Sequence, residues 1–122
     1  MVGNPARTDV AGSDRGMTDR TIAIYPQVEK DIQDIYRYIA ANDRDRETTF
    51  FDAVRETFAD LARMPGVGQI YESGEDDLVN LHRWFVKGFK TYLIFYLFDD
   101  VSVTIVRVID GRRDLAEILN EL

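Results

Sequence analysis

Two arginines stand side by side in the stretch VIDGRRDLAEIL, residues 108–119, in a chain of 122 residues whose formal charge is -7. A guanidinium offers a planar fork of donors that fits a carboxylate or a phosphate. Arg112 and Arg113 lie just ahead of a helix start, because Asp114 and Glu117 have the spacing of a capping box. The exposed N–H groups of a helix start attract anions, so the helix itself gains nothing from extra cations there. Two uses remain open: the neighbouring Asp110, Asp114 and Glu117 neutralise the arginines locally, or the pair docks an acidic group of a partner. Arg107, on the strand before the turn, shares parity with Val103, Ile105 and Ile109 and would extend the patch. Gly111 is expected to supply backbone freedom for the turn.

The remaining chemistry is sparse. His82 is the single histidine and lies at a strand start, beside Arg83 and Trp84, far in sequence from the arginine turn; a surface or packing role fits it better than catalysis. ESGEDD, residues 72–77, groups carboxylates but lacks the alternation and closing glutamate of a calcium loop, so it reads as a solvated loop. GVG at 66–68 follows a helix and precedes no lysine–serine pair, so it is no phosphate loop. The tyrosines, at 25, 36, 38, 71, 92 and 96, read as half-buried packing residues. No metal or organic cofactor is called for.

These residues need a frame. TIAIY, from residue 21, is β-branched and reads as a short N-terminal strand; Pro26 then suits the first turn of a helix. Val28, Ile32, Ile35, Tyr36 and Ile39 form one helical stripe ending near Asn42. Phe50, Phe51, Val54, Phe58, Leu61 and Ala62 form a second, stopped by MPG at 64–66. Two helices joined closely predict an antiparallel helical hairpin over a sheet. That sheet follows as a three-stranded antiparallel segment, 81–86, 90–98 and 101–109, with a tight link at Asp99–Asp100. A short C-terminal helix completes an α+β domain over residues 21–122, and residues 1–20, poor in large apolar side chains, read as a disordered tail in which Met17 is an alternative start.

The middle strand is apolar on both sides, with Tyr92, Ile94 and Tyr96 on one and Leu93, Phe95 and Leu97 on the other. One hairpin covers one face. Either the C-terminal helix covers the second, or another chain does, and Tyr92, Ile94 and Tyr96 are then candidates for apolar contact with that chain. Charge sharpens the picture: residues 81–113 carry six basic side chains against three acidic ones, whereas residues 64–80 carry four acids and no base. Of the six, Arg83, Lys87, Arg107, Arg112 and Arg113 form the candidate polar contact set.

The order of elements, with DIQDIYRYIA, VKGFKTYLIFY and TIVRVIDGRRDLAEIL, resembles the ParE branch of the RelE/ParE toxin superfamily over about residues 21–120. That resemblance implies the toxin of a type II toxin-antitoxin pair, neutralised by a ParD-like antitoxin whose tail folds along it. For the ParE branch it implies inhibition of DNA gyrase and arrest of replication; for the RelE branch, cleavage of mRNA on the ribosome. Residues 111–114 match the family's Gly-x-Arg-Asp turn, with Arg113 on its more constant arginine and Arg112 on a variable place. Cleavage of RNA needs a base, an acid and a cationic phosphate site, yet this chain is acidic and its tail LNEL lacks the tyrosine or histidine of ribonuclease members. The expectation is therefore a cytoplasmic inhibitor that acts by binding, with no direct contact to nucleic acid and no membrane segment. Phe95-Tyr96-Leu97 departs from the family's Phe-Tyr-Arg. A non-toxic oligomerising module is the alternative from another class.

Overall fold

A computed structural model describes residues 19–42, 44–72 and 80–120. The expected tail therefore falls outside the described residues up to residue 18, as do residues 73–77 of the acidic loop. Strand β1, Thr21–Ile24, leads into helix α1, Pro26–Asn42, and helix α2, Arg44–Arg63. A short 3-10 turn at Pro65–Val67 precedes β2, Gln69–Ile70. Three longer strands follow, β3 at His82–Val86, β4 at Phe89–Phe98 and β5 at Ser102–Asp110, before helix α3 at Leu115–Leu119. The five strands form one sheet in the order β1-β5-β4-β3-β2, antiparallel except that β1 runs parallel to β5.

The amphipathic hairpin lies across one face. Val28, Ile35 and Ile39 of α1 and Phe50, Val54, Phe58 and Leu61 of α2 pack with Phe89, Tyr92, Ile94, Tyr96, Val103, Ile105 and Val108 in the main core. Tyr92, Ile94 and Tyr96 are 7%, 0% and 0% exposed. This corrects the expectation of a partner contact for these three: the chain's own hairpin covers them. On the opposite face Phe95, Val106 and Ile109 pack with Leu81 and Leu119, flanked by Tyr71, Leu93, Leu97, Leu115 and Ile118. The C-terminal helix thus covers the second face around Phe95, and Leu93 and Leu97 stay half-buried.

Strict alternation fails in β5. Phe95 pairs with Arg107 but Tyr96 pairs with Ile105, which leaves Val106 as the extra residue of a bulge. Val103 and Ile105 therefore belong to the hairpin-side core whereas Ile109 belongs to the other. The shared parity predicted for Arg107 does not survive that slip.

Two polar pins fix the hairpin to the sheet. The Tyr96 hydroxyl donates to the Pro65 carbonyl at 2.6 Å and accepts the Gly68 N–H at 3.1 Å. Burial pushes its pKa up to about 12. In α2, Thr57 Oγ1 donates to the Ala53 carbonyl at 2.7 Å and accepts the Lys87 N–H at 3.0 Å, which holds the β3–β4 turn. Gly88 in that turn has φ +81, a left-handed conformation that a side chain would strain.

Candidate partner-binding site

The arginine turn is built by β5 and its neighbour. Asp110 ends the strand opposite Tyr92, and the Gly111 N–H donates to the Thr91 carbonyl at 2.7 Å. Gly111 does not adopt a left-handed φ, contrary to the reason expected for it. Close approach is the cause, since a Cβ there would lie 3.1 Å from both Thr91 O and Leu93 Cδ1. Asp114 then caps α3, its Oδ1 accepting the Glu117 N–H at 3.2 Å.

Asp110 grips Arg112 three times. Its carboxylate accepts from Arg112 Nε at 2.9 Å, from Nη2 at 2.7 Å and from the backbone N–H at 2.9 Å. Those bonds hold the Asp110 pKa below the usual carboxylate range and raise that of Arg112, with a smaller contribution from the Tyr38 side chain. The local neutralisation weighed from sequence is therefore present at Arg112 through direct bonds, while Arg113 acts on Asp110 only through its charge. The Arg113 side chain makes no hydrogen bond or ion pair among the described residues, and it is exposed.

Beside this turn lies an open groove of about 480 Å³ between the end of α1, the β3–β4 turn and the start of β4. Tyr38 and Asn42 line it from α1, Phe89, Lys90 and Tyr92 from β4, and Arg112 from the turn. Lys87 sits on the same β3–β4 turn, its ammonium 2.8 Å from Glu56 Oε2, which raises its pKa. The groove offers a guanidinium, an ammonium, phenols and an amide. Such groups recognise carboxylates and other anions by hydrogen bonding.

The other candidate cations lie elsewhere. Arg83 stands in mid-sheet opposite Phe95 and 5.7 Å from the Tyr71 ring, on the side that α3 covers. Arg107 does not extend the exposed patch; it is bound within the protein. Its Nε and Nη2 donate to Asp31 Oδ2 and Oδ1, both at 2.8 Å, and Asp31 is 6% exposed. Asp31 also accepts the Val108 N–H at 3.0 Å, beyond the point where β1 ends opposite Ile105. His82 packs its ring against Phe98 and donates from Nδ1 to the Asn80 carbonyl, 2.8 Å away, consistent with packing.

Sequence reasoning missed Asp31 and Tyr38. Asp31 carried a readable signal, because it falls three residues after Val28 and four before Ile35, inside an apolar stripe. A carboxylate there must find a cation or a donor. Tyr38 had no such signal, since it is exposed and off the stripe.

The sequence profile of the family described as ParE toxin of type II toxin-antitoxin system, parDE, matches residues 22–115. The chain belongs to this family. No curated protein matches it. Membership in the ParE toxin family makes it the toxin component of a type II toxin-antitoxin system, with an antitoxin as partner. The matched span runs from β1 to the first residue of α3, and so includes the arginine turn. The mixed sheet under a helical hairpin agrees with the RelE/ParE-like α+β architecture expected from sequence. Among the described residues no helix is long and apolar enough to cross a membrane.

Proposed function

We propose that this ParE-family toxin arrests replication by binding DNA gyrase, and that a ParD-like antitoxin neutralises it. Residues 21–122 form the toxin domain, and the action is inhibitory binding in the cytoplasm without a cofactor. One observation carries the reading: Arg113 is an exposed cation with no ion pair among the described residues, next to an Arg112 whose fork Asp110 already orients. A surface cation that makes no direct ion pair is available to an acidic group on another protein. Arg83, half-buried beside the Tyr71 ring, and Lys87, which Glu56 already engages, are secondary contacts. Arg107 is not among them, because Asp31 engages it.

The deciding experiment is pulse labelling of DNA and protein synthesis in bacteria after tightly controlled induction of the chain alone. DNA synthesis is expected to fall first, and purified gyrase then to lose supercoiling activity in its presence. An earlier fall in protein synthesis would move the target to the ribosome, and no fall in either would favour a non-toxic module. Arg113→Glu is expected to weaken growth arrest or antitoxin binding by about tenfold or more, the scale of one interfacial charge contact. If both survive unchanged, the turn is not the contact.

A further inference from the structure

Where the end of β1 meets the two long helices, an open groove of about 430 Å³ lies between α1 and α2. Ile24, Ile32 and Phe51 stand over a floor that includes Val54 and Phe58. Ile24 and Phe51 are 46% and 38% exposed, whereas Val54 and Phe58 are 4% and 7% exposed. One large apolar side chain left in water is ordinary, but several around one groove make a contiguous patch that favours contact. The Phe51 ring already rests against Tyr36, with centroids 4.6 Å apart, so it is ordered before any contact forms.

We infer that this groove is the contact face of a two-fold symmetric dimer of the chain. Charge selects a second copy as the occupant. Glu29 on α1 and Arg55 on α2 are the only charged residues among the described lining residues, one of each sign on opposite walls. A two-fold interface is self-complementary, because the same patch serves both copies. An axis along the groove lays α1 of one copy over α2 of the other, so that Glu29 faces Arg55 twice and the apolar rows meet between them. A partner of one charge sign would instead set that charge against Glu29 or against Arg55.

Both charges are accessible to such a contact. The Glu29 side chain has no hydrogen bond or ion pair among the described residues. Arg55 Nη2 lies 2.6 Å from Asp52 Oδ1, with the two side chains 72% and 73% exposed. An exposed pair of this kind holds weakly, and the five donors of a guanidinium serve two carboxylates at once. The 17 and 20 residues of α1 and α2 make rods about 25 and 30 Å long, packed roughly 10 Å apart. Two such rods side by side offer the area of a small specific interface, so micromolar self-association is expected. The charge of -7 on each copy opposes approach, but at physiological salt it is screened beyond about 8 Å.

The test is sedimentation equilibrium of the full chain, made by cell-free synthesis, from about 1 to 500 μM at physiological salt. The wild type is expected to pass from monomer to dimer across that range. Glu29→Arg, Arg55→Glu and Ile24→Asp all fall at exposed positions, and each is expected to weaken the dimer by about tenfold or more. The double exchange of Glu29→Arg with Arg55→Glu is expected to return the affinity to within about threefold of the wild type. A variant that had merely lost its fold would gain nothing from the second change. A monomer at every concentration, a dimer indifferent to the single changes, or a double variant as weak as either single one overturns the inference. So does a chain that stays monomeric alone and gains a partner on this face only when its antitoxin is added. Growth arrest on induction is read separately, so loss of the dimer leaves the toxin reading untouched.

Discussion

Two arginine–aspartate pairs in this protein have nearly the same geometry and opposite surroundings. Arg107–Asp31 and Arg112–Asp110 are both held by two side-chain bonds of 2.7 to 2.9 Å. In the first the side chains are 15% and 6% exposed; in the second they are 63% and 21% exposed. Burial assigns their roles. The inner pair joins α1 to the end of β5, where each charge has lost most of its water and depends on the other. The outer pair keeps water on the guanidinium, so the aspartate orients the arginine without consuming its ability to bind elsewhere.

The largest separation between the two should come from removing each acid. Asp31→Ala removes the carboxylate that Arg107 binds twice in a nearly dry place and leaves the Val108 N–H without that acceptor. A loss of about 3–5 kcal/mol in urea unfolding is expected. Replacing both Asp31 and Arg107 with leucine should recover most of that loss, because no unpaired charge then remains.

An intermediate effect is expected at Tyr96, the buried polar group on the hairpin side of the sheet. Tyr96→Phe leaves the Pro65 carbonyl and the Gly68 N–H without the hydroxyl and should cost about 1–3 kcal/mol. The raised pKa gives the same site a pH signature. Its stabilisation is complete below the unfolded tyrosine pKa of about 10. It is lost as pH rises through the folded value of about 12. Thermal melts between those limits should show a slope in the wild type that the variant lacks.

The smallest effect belongs to the outer pair. A double-mutant cycle on Asp110→Asn and Arg112→Ala should return a small coupling that shrinks further in salt. The pKa of folded Asp110 is lowered, so its contribution is present above the unfolded carboxylate value of about 3.9 and disappears as pH falls through the folded one. A coupling as large as that of the inner pair would mean that Arg112 is committed to the fold, and the comparison between the pairs would collapse.

The elements were legible because their signals are local. The stripes of Val28–Ile39 and Phe50–Ala62 gave both helices, and the strands 81–86, 90–98 and 101–109 were placed within one residue of their observed ends. The arginine turn was legible for the same reason, as Asp114 does cap α3. What escaped was set by contacts distant in sequence. The bulge at Val106 arises from pairing with Phe95 and Tyr96, and no pattern within TIVRV announces it. Strand β2 is two residues long and exists only by pairing with β3. Arg107 looked available because the residue that binds it lies on α1, and Tyr92, Ile94 and Tyr96 looked available because either face of an apolar strand could have been the covered one.

The parallel pairing of β1 with β5 has a consequence for the timing of synthesis. Thr21 and Ile24 find their partners in Ser102 and Ile105, so the first strand to leave the ribosome waits for the last one. Until then the hairpin has only part of the sheet to rest on, and the arginine turn, which follows β5, has not been made. Long-range pairing of this kind makes folding late and slow compared with local contacts. A cell therefore has the whole interval of translation, and some time after it, in which the chain exists without its completed arginine turn.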